Sequence, residues 1–125
     1  MNQESLKKRT KDFALRIIKL AEELPASITG KTIANQIIRC GTSVAANYRA
    51  ACRGRSKAEF SAKLGIVIEE ADETCFWLEM IIDAGLFPKE KIETLLSEAN
   101  ELTAIFVVSR KTASANKSSI ENRKS

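Results

Sequence analysis

The sequence predicts an all-helical protein, an antiparallel up-down-up-down four-helix bundle. Apolar residues return at steps of three, four and seven along four long stretches, which lines them up on one face of a helix. Stop and start signals separate these stretches by connectors of only a few residues, and short connectors force consecutive helices to run antiparallel. No stretch alternates polar and apolar residues with turn chemistry at its ends, so no sheet is assigned.

The first helix is expected over about 5–24. Leu6, Phe13, Ile17, Leu20 and Leu24 share its inner face, and Pro25 ends it. Thr29 is the expected cap of the second helix, about 30–53, whose stripe is Ile33, Ile37, Cys40, Val44, Tyr48 and Ala51. Gly54 is placed to close that helix in a left-handed conformation. Ser56-Lys57-Ala58-Glu59 then matches a capping box, in which Ser56 and Glu59 satisfy exposed amides reciprocally. The third helix, about 57–84, carries Phe60, Leu64, Val67, Ala71, Leu78 and Ile81. Gly85 followed by Leu86 reads as its stop. Pro88 suits the first turn of the fourth helix, about 88–111, with Ile92, Leu95, Ala99, Leu102 and Phe106 along its core line. The bundle thus spans 1–111. The Ser-, Asn- and Lys-rich stretch 112–125 is expected to be disordered.

With 125 residues, the chain is expected to form one domain. Its longest strictly apolar run, Ala104 to Val108, is far too short to cross a bilayer, so no membrane role is expected. Met1-Asn2-Gln3-Glu4-Ser5 lacks the apolar segment of a secretory signal. Cys40, Cys52 and Cys75 lie within apolar helical pattern and read as thiols of a reducing compartment, which predicts the cytoplasm. Residues 1–109 hold fifteen basic and fifteen acidic side chains, so the net charge of +4 comes from Arg110, Lys111, Lys117, Arg123 and Lys124 against Glu121. A basic tail either meets a polyanion or only solvates the chain end.

The chain contains no histidine. That removes His-based nucleophile systems and every His-ligated metal site, so neither a catalytic residue, a metal nor a cofactor is expected. Gly30-Lys31-Thr32 is not a phosphate-binding loop, because Pro25 stands where its first glycine belongs and a helix precedes it. Glu69, Glu70, Asp72 and Glu73 make an acidic face on the third helix, and Glu69 and Glu73, one turn apart, call for a basic neighbour. Between Glu23 and Glu59 there is no acid at all, while Lys31, Arg39, Arg49, Arg53, Arg55 and Lys57 are present. These residues either pair with the acidic helix, within one chain or across subunits, or form an exposed phosphate-contacting stripe to which Lys7, Lys8, Arg9 and Lys11 add. Arg110 and Lys111 extend the same candidate set. Gly41 and Gly65 sit inside helices at a cost of about 1 kcal/mol each, and Gly41 is expected to permit a close helix crossing. Asn47, one turn after Ser43, is expected to have a structural role.

The middle helices are apolar over more than one stripe. Ala34, Ile38 and Ala45 flank one core line, and Ile66, Ile68, Cys75, Trp77 and Ile82 flank the other. Such width means either a wide internal stripe or a second buried side, and self-association is the expectation.

Gln36-Ile37-Ile38-Arg39, Ser43-Val44-Ala45-Ala46-Asn47, Arg55-Ser56-Lys57-Ala58-Glu59-Phe60 and Lys63-Leu64-Gly65-Ile66 resemble a bacterial four-helix-bundle family. Its members include proteins encoded in intervening sequences of large-subunit ribosomal RNA genes. The accessory variability determinant protein of diversity-generating retroelements is a related member. Glu70-Ala71-Asp72-Glu73-Thr74 through Phe76-Trp77-Leu78-Glu79 also looks like one branch, and the resemblance covers about 6–112. It implies an antiparallel four-helix bundle and, for members like the retroelement protein, a homopentamer that binds nucleic acid and a reverse transcriptase through basic surfaces. The expected function is therefore a non-enzymatic homo-oligomeric scaffold contacting RNA or DNA. The alternative is an oligomeric protein-interaction module with no nucleic-acid role.

Overall fold

The computed structural model describes the backbone of residues 1–124 and the side chains of residues 1–115. Its elements are α1 (Gln3–Glu23), α2 (Ile28–Cys52), α3 (Lys57–Asp83) and α4 (Lys89–Lys124). Each helix packs on the next, α4 returns to α1 to close the ring, and the diagonal backbones stay apart. The α1–α4 seam is the slightest of the four. Among the described residues there is no strand, and no helix is long and apolar enough to cross a membrane.

The core is the set of stripes read from the sequence. Phe13 and Ile17 of α1, Ile37 and Val44 of α2, Leu64, Val67, Leu78 and Ile81 of α3, and Ile92, Leu102 and Phe106 of α4 are all fully buried. Each such side chain contributes about 1.5–3 kcal/mol when removed from water. At the α1–α2 crossing a Cβ on Gly41 would lie 2.8 Å from Cγ2 of Ile17, so glycine there sets how closely the two helices approach. Tyr48 and Phe106 join α2 to α4 with ring centroids 5.6 Å apart.

The caps differ from expectation in detail. α2 starts at Ile28, and its cap is Ser27 rather than Thr29. The Ser27 hydroxyl accepts from the Gly30 N–H at 3.0 Å, because the chain is already clear of Pro25 two residues earlier than expected. Ser56 caps α3 as expected, accepting from the Glu59 N–H at 3.1 Å. The Glu59 carboxylate, however, accepts from the Arg55 N–H at 2.7 Å, one residue earlier than a capping box requires. Gly54 does not adopt the left-handed conformation. The chain turns through Arg53, and a Cβ at Gly54 would crowd the Ala51 carbonyl at 3.0 Å. Gly85 does adopt it, with φ of 66°. Its N–H donates to Ile82 and that of Leu86 to Ile81, both at 3.0 Å, which is the Schellman closure. Pro88 stands just before α4, and its carbonyl accepts from the Lys91 N–H. Asn47 is half-buried and satisfied within α2, its amide donating to the Ser43 carbonyl at 3.0 Å and hydroxyl at 2.7 Å.

One further expectation is corrected, and the apolar width of the middle helices finds its place. α4 does not stop near Lys111. No glycine or proline interrupts it there, and Ala113 is buried seven residues beyond Phe106 on the same face. Disorder is therefore wrong for 112–115, while the tail side chains Lys117, Glu121, Arg123 and Lys124 lie outside the described residues. The excess apolar width of α2 and α3 is largely internal. Ala34, Ile38, Ile68, Trp77 and Ile82 pack against the core and Cys75 is buried, because α2 and α3 each lie between two broad seams whereas α1 and α4 share the slight one. Ile66 stays outward, joined by Phe76 and Met80, which the sequence reading passed over.

Candidate functional site

The ring topology sorts charge along the bundle axis. One end, holding the chain's N-terminus and the α2–α3 turn, comprises 1–12, 42–69 and 101–115, with eleven basic and five acidic side chains. The other end, holding the α1–α2 and α3–α4 connectors, comprises 13–41 and 70–100, with six basic and ten acidic. A body with a net excess of only two positive charges is thus basic at one end and acidic at the other.

At the basic end, α1 and α2 enclose an open groove of about 540 Å³. Lys7, Lys8 and Lys11 come from one wall and Arg49 from the other. Ala14, Ala45 and Ala46 are among the residues between them, so small side chains leave the space the long cations surround. Lys7 pairs with Glu4 at 3.0 Å and Lys8 with Asp12 at 3.3 Å, each within one helix and well exposed on at least one side. Such pairs are worth little and open readily to a competing anion. Lys11 and Arg49 belong to no ion pair among the described residues. Arg53, Arg55 and Lys57 continue the charge around the α2–α3 turn, all exposed. Lys63, which the sequence reading left aside, lines a neighbouring groove with Arg53 and Glu59. Arg110 and Lys111 stand apart, between α3 and α4.

Two arginines of the expected set serve other ends. Arg9 of α1 forks onto Glu98 of α4, Nε to Oε2 at 2.8 Å and Nη2 to Oε1 at 2.6 Å, and also reaches Glu101 at 3.1 Å. This clasp is 22 % and 19 % exposed at its two main partners and bridges the slightest seam of the ring. Its hydrogen bonds hold the Glu98 carboxyl below the ordinary carboxylate range and Arg9 above its ordinary value. Arg39 of α2 pairs with Glu70 at 3.2 Å and with Glu73 of α3, and Glu73 also accepts from the Trp77 indole N–H at 3.2 Å. The basic neighbour anticipated for the acidic face is therefore Arg39, acting within one chain, and it takes Glu70 in place of Glu69.

No three Cys, Asp or Glu side chains converge as metal ligands among the described residues. Cys40 and Cys75 are buried free thiols whose pKa burial pushes up, and Cys52 is half-buried. The chemistry available at the basic end is thus binding of anionic surface by lysine and arginine. Periodicity could identify the cations one helix at a time, but which of them share a groove required the α1–α2 register that Gly41 and Ile17 set.

The family described as 23S rRNA-intervening sequence protein matches residues 3–107. In structure, the chain is similar to a crystal structure of a protein with unknown function from the S23 ribosomal protein family of Bacteroides thetaiotaomicron. The two are 32 % identical, with a TM-score of 0.82, and the likeness covers 89 % of this chain and 99 % of that one. No curated protein matches. The resemblance read from Gln36 to Glu79 is borne out by both matches.

Proposed function

Since the chain belongs to the 23S rRNA-intervening sequence protein family, we propose that it is a non-enzymatic scaffold whose basic end binds RNA or DNA through the phosphate backbone. The observation that supports this is the convergence of Lys7, Lys8, Lys11 and Arg49 on one groove, with Lys11 and Arg49 in no ion pair among the described residues. Recognition is electrostatic and follows backbone shape, for none of the described residues lining the groove is an aromatic on which a base would stack. The chain acts in the cytoplasm as a homo-oligomer, a pentamer by analogy with the retroelement relatives, and presents several basic ends to one nucleic acid. An accessory role beside a nucleic-acid enzyme such as a reverse transcriptase fits that arrangement. RNA is the first probe, because both names borne by the matches concern the ribosome or its RNA.

A salt titration against generic RNA and duplex DNA tests this reading. Affinity falls steeply as salt rises, and Arg49→Glu with Arg53→Glu flattens the dependence by about two in log–log slope. Undetectable binding at low salt overturns it. A second reading, a protein-interaction module, rests on exposed Phe76 and Met80 beside Trp77, with Phe76 edge-on to Trp77 at 5.0 Å. If the arginine reversals dissociate the oligomer and leave RNA binding intact, this second reading takes precedence. A monomer by light scattering removes the pentamer and the multivalency built on it.

A further inference from the structure

Between α3 and α4, still at the basic end, lies a separate open groove of about 530 Å³. Ser61 and Ile68 line it from α3, and Val107, Arg110, Lys111 and Ser114 from α4. Ser61 and Ile68 are two turns apart and the α4 residues recur at three- and four-residue steps, so each helix gives the groove one face. The two faces meet in register. The Ser61 and Ser114 hydroxyl oxygens are 3.5 Å apart, and Arg110 lies against Gly65 one turn along.

The contact at Gly65 is specific. A Cβ there would sit 3.0 Å from Nη2, 3.1 Å from Cζ and 3.2 Å from Nη1 of Arg110, so the guanidinium lies over the α3 backbone in space a side chain would fill. Glycine in the interior of a 27-residue helix works against that helix, and here it seats the arginine. The arginine so held has no carboxylate to hold it. Arg110 and Lys111 join no ion pair among the described residues, whereas Arg9 and Arg39 each bind two carboxylates. A guanidinium over Gly65, a neighbouring ammonium and two serine hydroxyls that bond only to each other make a cluster of donors with no carboxylate among the residues lining the groove.

We propose that this groove is a binding site for a phosphoryl group, with Gly65 as a positioning residue. Arg110 presents its planar fork to two phosphate oxygens, Lys111 supplies a second positive charge, and the Ser61 and Ser114 hydroxyls donate to the remaining oxygens. Four donor groups of this kind suit a tetrahedral dianion better than a planar carboxylate, which offers two oxygens and one charge. They also favour a terminal phosphate over an internal phosphodiester, for the same reason of charge and free oxygens. Such a group comes either as free inorganic phosphate or as the 5′ end of a nucleic-acid strand. The inference therefore goes beyond the electrostatic reading of the α1–α2 groove, and its free-phosphate arm does not depend on nucleic-acid binding.

The test uses the full-length chain and two probes. Inorganic phosphate, titrated at constant ionic strength, should shift the NMR signals of the Gly65 amide and the Arg110 side-chain N–H and leave those of Arg49 in place. The same oligonucleotide with and without a 5′ phosphate is then compared. In Gly65→Ala the new methyl lies 3.0–3.2 Å from the guanidinium, which must give way by a few tenths of an ångström, and no charge is removed. Phosphate affinity should fall about tenfold, the size of one charge-assisted hydrogen bond, while the thermal midpoint stays level or rises. Arg110→Gln abolishes the shifts. A 5′-phosphate preference that disappears in Gly65→Ala identifies the strand end as the source, and phosphate-induced shifts without that preference identify free phosphate. The proposal is overturned if phosphate moves neither signal at tens of millimolar, or if Gly65→Ala binds it as the wild type does.

Discussion

The two ends of the bundle share one continuous core but use their arginines differently. In the acidic half, Arg39 is engaged by two glutamates of α3, the helix that also carries the exposed Phe76 and Met80. In the basic half, the guanidinium groups of Arg49, Arg53, Arg55 and Arg110 have no carboxylate partner among the described residues, and of the arginines there only the Arg9 side chain is tied to carboxylates. The difference teaches that the count of charges says little about this molecule and their assignment says a great deal. An arginine locked in a fork serves the fold, and one left over is available to a ligand.

Exchanging the character of the ends is the strongest way to break the comparison. Lys11→Glu with Arg49→Glu should lower RNA affinity at least a hundredfold at low salt, since each removed phosphate contact also removes counterion release. The matching reversal at the other end, Glu79→Lys with Asp83→Lys, should leave affinity unchanged or raise it. Equal losses from both reversals would mean that the sorting of charge has no bearing on binding.

The two clasps separate on stability. Arg9→Met strands a part-buried carboxylate at the slightest seam and should cost about 1–2 kcal/mol in urea unfolding. Arg39→Met breaks a pair whose arginine is 49 % exposed and should cost less. The pH dependence sharpens this. Because the folded pKa of Glu98 is depressed, its contribution is present above the ordinary unfolded carboxylate value of about 4.3 and is lost as pH falls through the lower folded value. Acidification from neutrality to below that range should therefore destabilise the wild type more than Arg9→Met. If Arg9→Met is as acid-sensitive as the wild type, the Glu98 pairing is not what holds the seam.

The smallest effect concerns the thiols. Cys52 near the basic end is half-buried, while Cys40 and Cys75 lie in the core with raised pKa. In the native protein an alkylating reagent should modify Cys52 first, and the other two only on unfolding, as followed by mass spectrometry.

Much of the fold was legible in the sequence because its signals are local. Pro25, Ser56 and Gly85 announce helix ends through the chemistry of one or two turns, and the stripes from Leu6 to Phe106 follow the helical repeat. What failed also failed locally. Thr29 lost its role to Ser27, Gly54 closes its helix without left-handed geometry, and the polar composition after Lys111 concealed that Ala113 still falls on the buried face. The candidate site was legible only as a list of cations. Nothing in the spacing of Arg9 or Arg39 distinguishes them from Arg49, because their partners lie on other helices 89 and 31–34 residues away. Gly65 was visible as a helix-interior glycine, yet the arginine it seats is known only from the α3–α4 register.

Sorted charge has a consequence for motion as well as for binding. Surpluses of opposite sign, each centred in one half of helices roughly 37 Å long, give the molecule a large electric dipole moment along its axis. Near a polyanion the field exerts a torque before any contact forms, turning the chain basic end first once it comes within about a Debye length. Orientation and approach then proceed together, and the encounter rate carries a salt dependence of its own, separate from that of the affinity.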